Sequence, residues 1–302
     1  MPGSDHKYLP YFALVAGILA LSLSSLFVRW AAAPGTVTSF FRMTIASVVL
    51  LPFFLGRKGL KLKVNWRWVP LALLGGLFTA LDHSIWSTAI NQTRIANATL
   101  MNNIAPLWVA LIAALVWKER LNGKFWIGLL LTLTGAGIVF GHDLIANPHL
   151  SGGDLLAIIS SIFYAGYFLT TQRGRTKLDT LTYIFFVDIS ASVLLLGANL
   201  VLRNPFSGYS TNTYLAFLGA ALISQVIGYF SVGYALGHLS AAVVAPTMIL
   251  QPVLTALLAI PLAHEALLPA QWIGGLIVLG GIYLVNLVQS QKVKESEVLP
   301  SG

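Results

Sequence analysis

The 302-residue chain has no cysteine and little charge: charged residues make up 9% of it, 10 acidic against 18 Lys and Arg. Without cysteine, disulfides and thiolate-bound metals are excluded. The six histidines are scattered and show neither HExxH nor a related metal spacing, so no metal is expected. No phosphate loop and no nucleophile motif is present, which leaves neither a cofactor nor an enzyme to expect. A soluble domain of this length needs far more charge to cover its surface. The formal surplus of +8 fits basic loops beside a lipid bilayer better than a nucleic-acid partner.

What is abundant is apolar: 57% of residues are hydrophobic and the mean hydropathy is +0.80. They fall in blocks of about twenty, the length that crosses a bilayer as a helix. Blocks can be placed at 9–29, 36–55, 68–90, 96–117, 125–141, 154–172, 180–202, 213–236, 240–262 and 270–289. The expected fold is an all-α polytopic membrane protein with ten transmembrane helices. The first block is too long for a signal peptide and reads as a retained helix. With the N-terminus in the cytoplasm, fourteen of the 18 basic residues fall in inside segments. Arg29, Arg94 and Arg203 fall outside, and Arg42 lies within a span. The positive-inside rule therefore puts both termini in the cytoplasm.

The chain also repeats. Residues from Ile104 align with residues from Leu250 at an offset of 146, matching Pro106 with Pro252, Glu119 with Glu265, and Trp126-Ile127-Gly128 with Trp272-Ile273-Gly274. "FFRMTIASVVLL" from Phe40 aligns with "FFVDISASVLLL" from Phe185. A unit of five spans places its second copy upside down, the architecture that lets a carrier rock around a central site. The units expected are 1–146 and 147–290, two inverted five-helix repeats around a central cavity, followed by a disordered tail at 291–302.

A ten-helix chain of this length with a "P…(K/H)E…L…W-I-G…G" pattern ending each half resembles the EamA-type branch of the drug/metabolite transporter superfamily. Within it, the nearest likeness is to bacterial YddG-type amino-acid exporters. The resemblance covers essentially the whole chain. It implies a bacterial inner-membrane exporter with a central cavity.

Ionisable residues at membrane depth are costly and mark pathways or buried pairs. Arg42 and Asp82 lie at similar depth on neighbouring spans, which suggests a direct pair. Asp82 and His83 point about 100° apart on a helix, so if Asp82 anchors Arg42, His83 lines the pathway; a histidine satisfied by nearby backbone is the rival. Thr79, His83 and Trp86 share a face, and the 146-residue offset places Thr79 over Gln225 and His83 over Tyr229. Pro106 loosens the fourth span beside Asn102 and Trp108, and Pro246 and Pro252 loosen the ninth beside Gln251. Ser160, Tyr164 and Tyr167 share a face of the sixth. Asp188 could pair with His83, hold a substrate ammonium, or carry a proton.

A cavity edged by His83, Trp86, Trp108, Tyr164 and Tyr229, with amides from Asn102, Gln225 and Gln251, suits a small zwitterion with an apolar side chain. The expected function is alternating-access export of small metabolites, foremost aromatic or apolar amino acids. Partners are the substrate, the bilayer and, for Asp188, a proton. The alternatives are export of other metabolites or drugs, a passive channel, and an intramembrane enzyme. Oligomeric state is open, and a monomer suffices for the repeat.

Overall fold

In lipid every backbone N–H and C=O must find its partner within the protein, so apolar blocks of this length fold as helices. The computed structural model describes residues 8–56, 64–119, 121–146, 151–254, 257 and 269–298. The basic segment 57–63, Arg120, the end of the ninth block and Glu265 lie outside them.

Ten helical rods succeed one another in the described residues. The first is α1 (Leu9–Leu21) and α2 (Ser24–Ala31), with a break between. Then come α3 (Gly35–Gly56) and α4 (Val69–Gln92), the latter entered by a 3₁₀ turn at Trp66–Trp68. The fourth rod is again broken, into α5 (Ile95–Asn102) and α6 (Ala105–Leu115). Unbroken α7 (Gly123–Ala146), α8 (Gly152–Arg175) and α9 (Thr180–Val201) follow. The eighth rod runs from α10 (Thr211–Gly219) through a π-helix, Ala220–Tyr229, into α11 (Phe230–Leu236). The ninth comprises α12 (Ala241–Met248) and α13 (250–254), separated by a turn at Ile249, and the tenth is α14 (Pro269–Val298). No strand occurs among the described residues.

Seven helical stretches of the described residues are long and apolar enough to cross a membrane. Three shorter apolar helices, Gly123–Val139, Ala241–Leu254 and Trp272–Val288, accompany them. The expected tail needs correction. Helix α14 continues to Val298, because "QSQKVKESEV" holds no glycine or proline and is rich in helix-forming Gln, Lys and Glu.

Successive rods alternate in direction, and several non-consecutive pairs pack antiparallel, although α4 and α9 run parallel, with Gly75 against Tyr183 and Gly76 against Ser190. Thr36 bonds Asn199 at one end of the α3–α9 pair, Thr44 meets Ser192 at 2.6 Å midway, and the Phe54 and Phe185 rings stack at the other end. The α4–α8 pair runs from Gly153 against Gln92 to Gly166 against Phe78. The same arrangement recurs between the first and eighth rods, where Gly17 meets Gly228 and Val232. Burial is inverted relative to a soluble protein. Val201 is 82% exposed and Leu276 69%, whereas Arg42 is 1% exposed and Asp188 0%. Large apolar side chains cover the outside as well as the core, while these ionisable ones are kept inside, as lipid requires.

The largest apolar core lies on one side of the bundle's middle. It draws on Leu14 and Ile18 of α1, Ala72 of α4, Val109 of α6, Phe168 of α8, Ile184 of α9, Val232 of α11 and Val244 of α12. By the antiparallel alternation of the rods these belong to the end that holds the start of α1. At the opposite end the core divides into separate clusters, one around Trp86, Ile90 and Ala98, another around Val37 and Phe217.

Candidate functional site

Between these two ends the rods leave a cavity, and the helix breaks converge on it. The first rod breaks after Leu21, where the Ser22 hydroxyl turns back to the Ile18 carbonyl. The Leu21 carbonyl, released from the helical ladder, accepts from Gln251 Nε2 at 2.9 Å. The fourth rod breaks at Asn103–Ile104, just before Pro106, whose missing N–H cannot continue the ladder. The ninth breaks at Ile249, between Pro246, which stays inside α12, and Pro252. The π-helix places Gln225 and Tyr229 against the same centre, and wide turns of this kind recur at functional sites.

Arg42 is the largest side chain fully buried in the described residues. It donates from Nη1 to Ser24 Oγ at 2.8 Å and from Nε to Gln225 Oε1 at 3.0 Å, with its guanidinium carbon 5.3 Å from the Tyr229 ring centre. Nη2 has no protein partner. Gln225 turns its Nε2 to Asp188 Oδ1, 2.7 Å away. Because arginine only donates and a carboxylate only accepts, this is the one orientation of the amide that serves both.

The expected direct Arg42–Asp82 bond does not form. Equal depth said nothing of azimuth, and amides intervene on both sides. Asp82 accepts from Asn102 Nδ2 at 3.2 Å and lies 3.4 Å from His83 Nδ1. Asn102 in turn donates to Ser160 at 2.7 Å. Nor do Asp82 and His83 divide into an anchor and a lining residue, since both line the cavity. His83 Nδ1 also lies 3.1 Å from the Thr79 carbonyl. A carbonyl can only accept, so that bond puts the proton on Nδ1 and leaves Nε2 as an acceptor. The imidazole ring centre is 5.1 Å from that of Tyr229, the position at its 146-residue offset.

Of the residues expected at the site, Arg42, Asp82, His83 and Trp86 line the cavity, as do Asn102, Tyr164, Tyr229 and Gln251. Three do not. Trp108 donates to Ser161 Oγ at 2.9 Å, and Gln225 and Asp188 stand behind Arg42. Leu21 and Ser24 also line it and went unmarked; the run "LSLSS" inside the first apolar block was the available signal. The space enclosed is about 20 Å³, room for about one water. No cluster of three metal-ligating side chains occurs among the described residues.

The cavity holds a guanidinium, a carboxylate and an imidazole, and discontinuous helices meeting in this way are a recurrent feature of membrane carriers. Comparison with known proteins agrees. A solved crystal structure superposes with a TM-score of 0.76 over 93% of this chain and 98% of its own, at 20% identity, which speaks for the fold alone. The chain is 24% identical over 257 residues to an uncharacterised transporter of Archaeoglobus fulgidus, covering 84% of this chain and 88% of the relative. It is 26% identical over 264 residues to the uncharacterised transporter YwfM of Bacillus subtilis, covering 85% and 86%. A relative from Streptantibioticus cattleyicolor, 24% identical over 249 residues and covered to 82% against 81% of this chain, is named a probable terminal-alkyne amino-acid exporter. The EamA-like transporter family matches twice, over residues 9–141 and again over 151–287. This multi-pass membrane protein belongs to the EamA-like transporter family.

Proposed function

We propose that the protein exports small zwitterionic metabolites, foremost amino acids with apolar or aromatic side chains, by alternating access. The observation that carries this reading is that Arg42 and Asp82 line one cavity without bonding each other. A guanidinium and a carboxylate held apart in one small space suit an α-carboxylate and an α-ammonium, while Trp86, Tyr164 and Tyr229 offer ring faces to the side chain. The name of the Streptantibioticus relative points the same way.

Two inverted repeats, 1–146 and 147–290, account for the motion. Gly128 and Gly135 of α7 correspond, 146 residues on, to Gly274 and Gly281 of α14, and each packs against the other's counterpart. Ten spans in this arrangement rock about the cavity. A large core with one satellite cluster at one end and smaller clusters at the other fit a state closed toward the termini, and a void the size of one water does not fit a standing pore. The distribution of basic residues supports cytoplasmic termini, and the family likeness supports a bacterial inner membrane. A cytoplasm-only fluorescent reporter fused to the C-terminus is expected to glow; an active periplasmic phosphatase at the same position overturns that orientation.

The test of function is counterflow of labelled phenylalanine, threonine and an unrelated sugar in liposomes holding the purified protein, with and without a proton gradient. Saturable movement of the amino acids but not the sugar is expected. Folded protein that moves neither amino acid removes the substrate assignment, and indifference to the gradient removes the proton.

A further inference from the structure

Arg42 is held from behind by a chain of groups that never reaches the cavity. Its Nε is taken by the Gln225 carbonyl oxygen, and the Gln225 amide nitrogen is taken by Asp188. The three residues come from α3, the π-helix and α9, so the bridge joins three rods. All three are essentially fully buried, at 1%, 1% and 0% exposure. A guanidinium at that depth is costly unless a countercharge is near. Asp82 is committed elsewhere, to Asn102 and His83. Asp154, also buried, is held at the start of α8 by Ser151 and Thr93, so the carboxylate left is Asp188, which reaches the guanidinium only through the amide. Gln225 thus does what a direct ion pair would not. It ties the charge down through Nε while leaving Nη2 without a protein partner on a side chain that lines the cavity. Ser24, bonded to Nη1, also lines the cavity, and its hydroxyl hydrogen remains available to donate. Nη2 and the Ser24 hydroxyl are therefore two donors for one carboxylate.

We propose that Gln225 and Asp188 are positioning residues that give the carrier its preference for carboxylate-bearing substrates, by fixing and balancing Arg42 beside the cavity. This rests on the zwitterion reading above. A direct Asp188–Arg42 contact would spend the guanidinium on the protein, and no countercharge at all would leave it unfavourable to bury. The bridged arrangement avoids both.

The full-length protein in liposomes is tested by competition against labelled phenylalanine counterflow, using unlabelled phenylalanine, phenylalaninamide, which lacks the carboxylate, and 3-phenylpropionate, which lacks the ammonium. Wild-type protein is expected to respond to phenylalanine at far lower concentration than to phenylalaninamide. Gln225→Leu and Asp188→Leu should each shrink that ratio about tenfold, the worth of one well-placed charge-assisted bond. Gln225→His, whose neutral ring accepts on one nitrogen and donates from the other, should keep most of it. The ratio is read only on protein recovered folded and monodisperse, and because the two leucine variants alter different rods, either can carry the comparison. Variants that slow transport yet leave the ratio unchanged, or that weaken all three competitors equally, overturn the positioning role while the substrate assignment stands. Wild-type protein that carries phenylalanine but does not distinguish it from its amide overturns it as well. Wild-type protein that carries no phenylalanine removes the substrate assignment first, and the inference with it.

Discussion

The seam between α7 and α14 and the cavity between the remaining rods are built on opposite principles. At the seam, backbones touch. A Cβ placed on Gly135 would lie 2.7 Å from both the Gly274 carbonyl oxygen and the Val278 nitrogen, and one on Gly281 would lie 2.3 Å from the Thr132 hydroxyl. Small residues let helices approach this closely, and in lipid such packing is a main source of association. At the cavity the rods are held apart by long polar side chains, and Arg42 Nη2 and Trp86 Nε1 have no protein partner. The seam has one good arrangement. The cavity holds buried polar atoms that its present contacts leave unsatisfied, and a substrate or a second conformation can satisfy them. Stability and transport should therefore separate between the two regions.

The largest loss of stability is expected from removing the link that spans both roles. Arg42→Ala leaves Gln225 and Ser24 without their common partner and Asp188 without the charge it balances, a change of about 3–5 kcal/mol. Low yield and a strongly lowered unfolding midpoint in detergent would bear this out. Unchanged thermal stability would mean that Asp188 and Gln225 do not balance the guanidinium. Next comes Gly135→Leu at the seam, where overpacking costs about 1–3 kcal/mol. Its residual folded fraction should still carry substrate, since no cavity residue has moved. Lost transport at retained stability would erase the distinction between seam and cavity.

The rods were legible in the sequence because lipid leaves the backbone one solution, and apolar blocks of the right length announce it. The prolines announced the loosened fourth and ninth rods. The break after Leu21 carries no proline, and only the serines at 22, 24 and 25 hinted at it. The π-helix was hidden for a different reason: in a stretch whose polar side chains are only Ser224, Gln225 and Tyr229, the wider turn leaves no regular polar stripe to betray its period. Within the site, residue types were readable and pairings were not. Charge and depth brought Arg42 and Asp82 to one level and put Asp188 within a span, but the partner of each is decided by azimuth and by which amide intervenes, Asn102 for Asp82 and Gln225 for the other two. Hydropathy carries neither quantity.

The cavity itself should give effects on transport with little effect on folding. His83→Ala deletes a ring that touches Tyr229, a contact with Asp82, which keeps its bond from Asn102, and a bond to its own helix backbone, all local, so the unfolding midpoint should fall only slightly. Counterflow should drop severalfold or more. A matched fall in stability would class His83 as a packing residue.

The smallest effect falls on the glycines that sequence could not sort. Gly135 and Gly137 stand two residues apart in "LTGAGIV", and both read as places where helices approach closely. Their surroundings differ completely, because the seam presses on Gly135 and nothing lies within 4 Å of a Cβ on Gly137. Gly137→Ala thus adds a methyl group to open space and removes a helix-interior glycine, whose penalty relative to alanine is about 0.5–1 kcal/mol in water. The substitution should leave transport intact and hold or slightly raise the unfolding midpoint. If it instead destabilised the protein as Gly135→Leu does, the close approach would extend around α7 to a face that this structure leaves uncovered. The seam would then be one of two such contacts, and the division between a rigid pair and a rearranging centre would have to be drawn elsewhere.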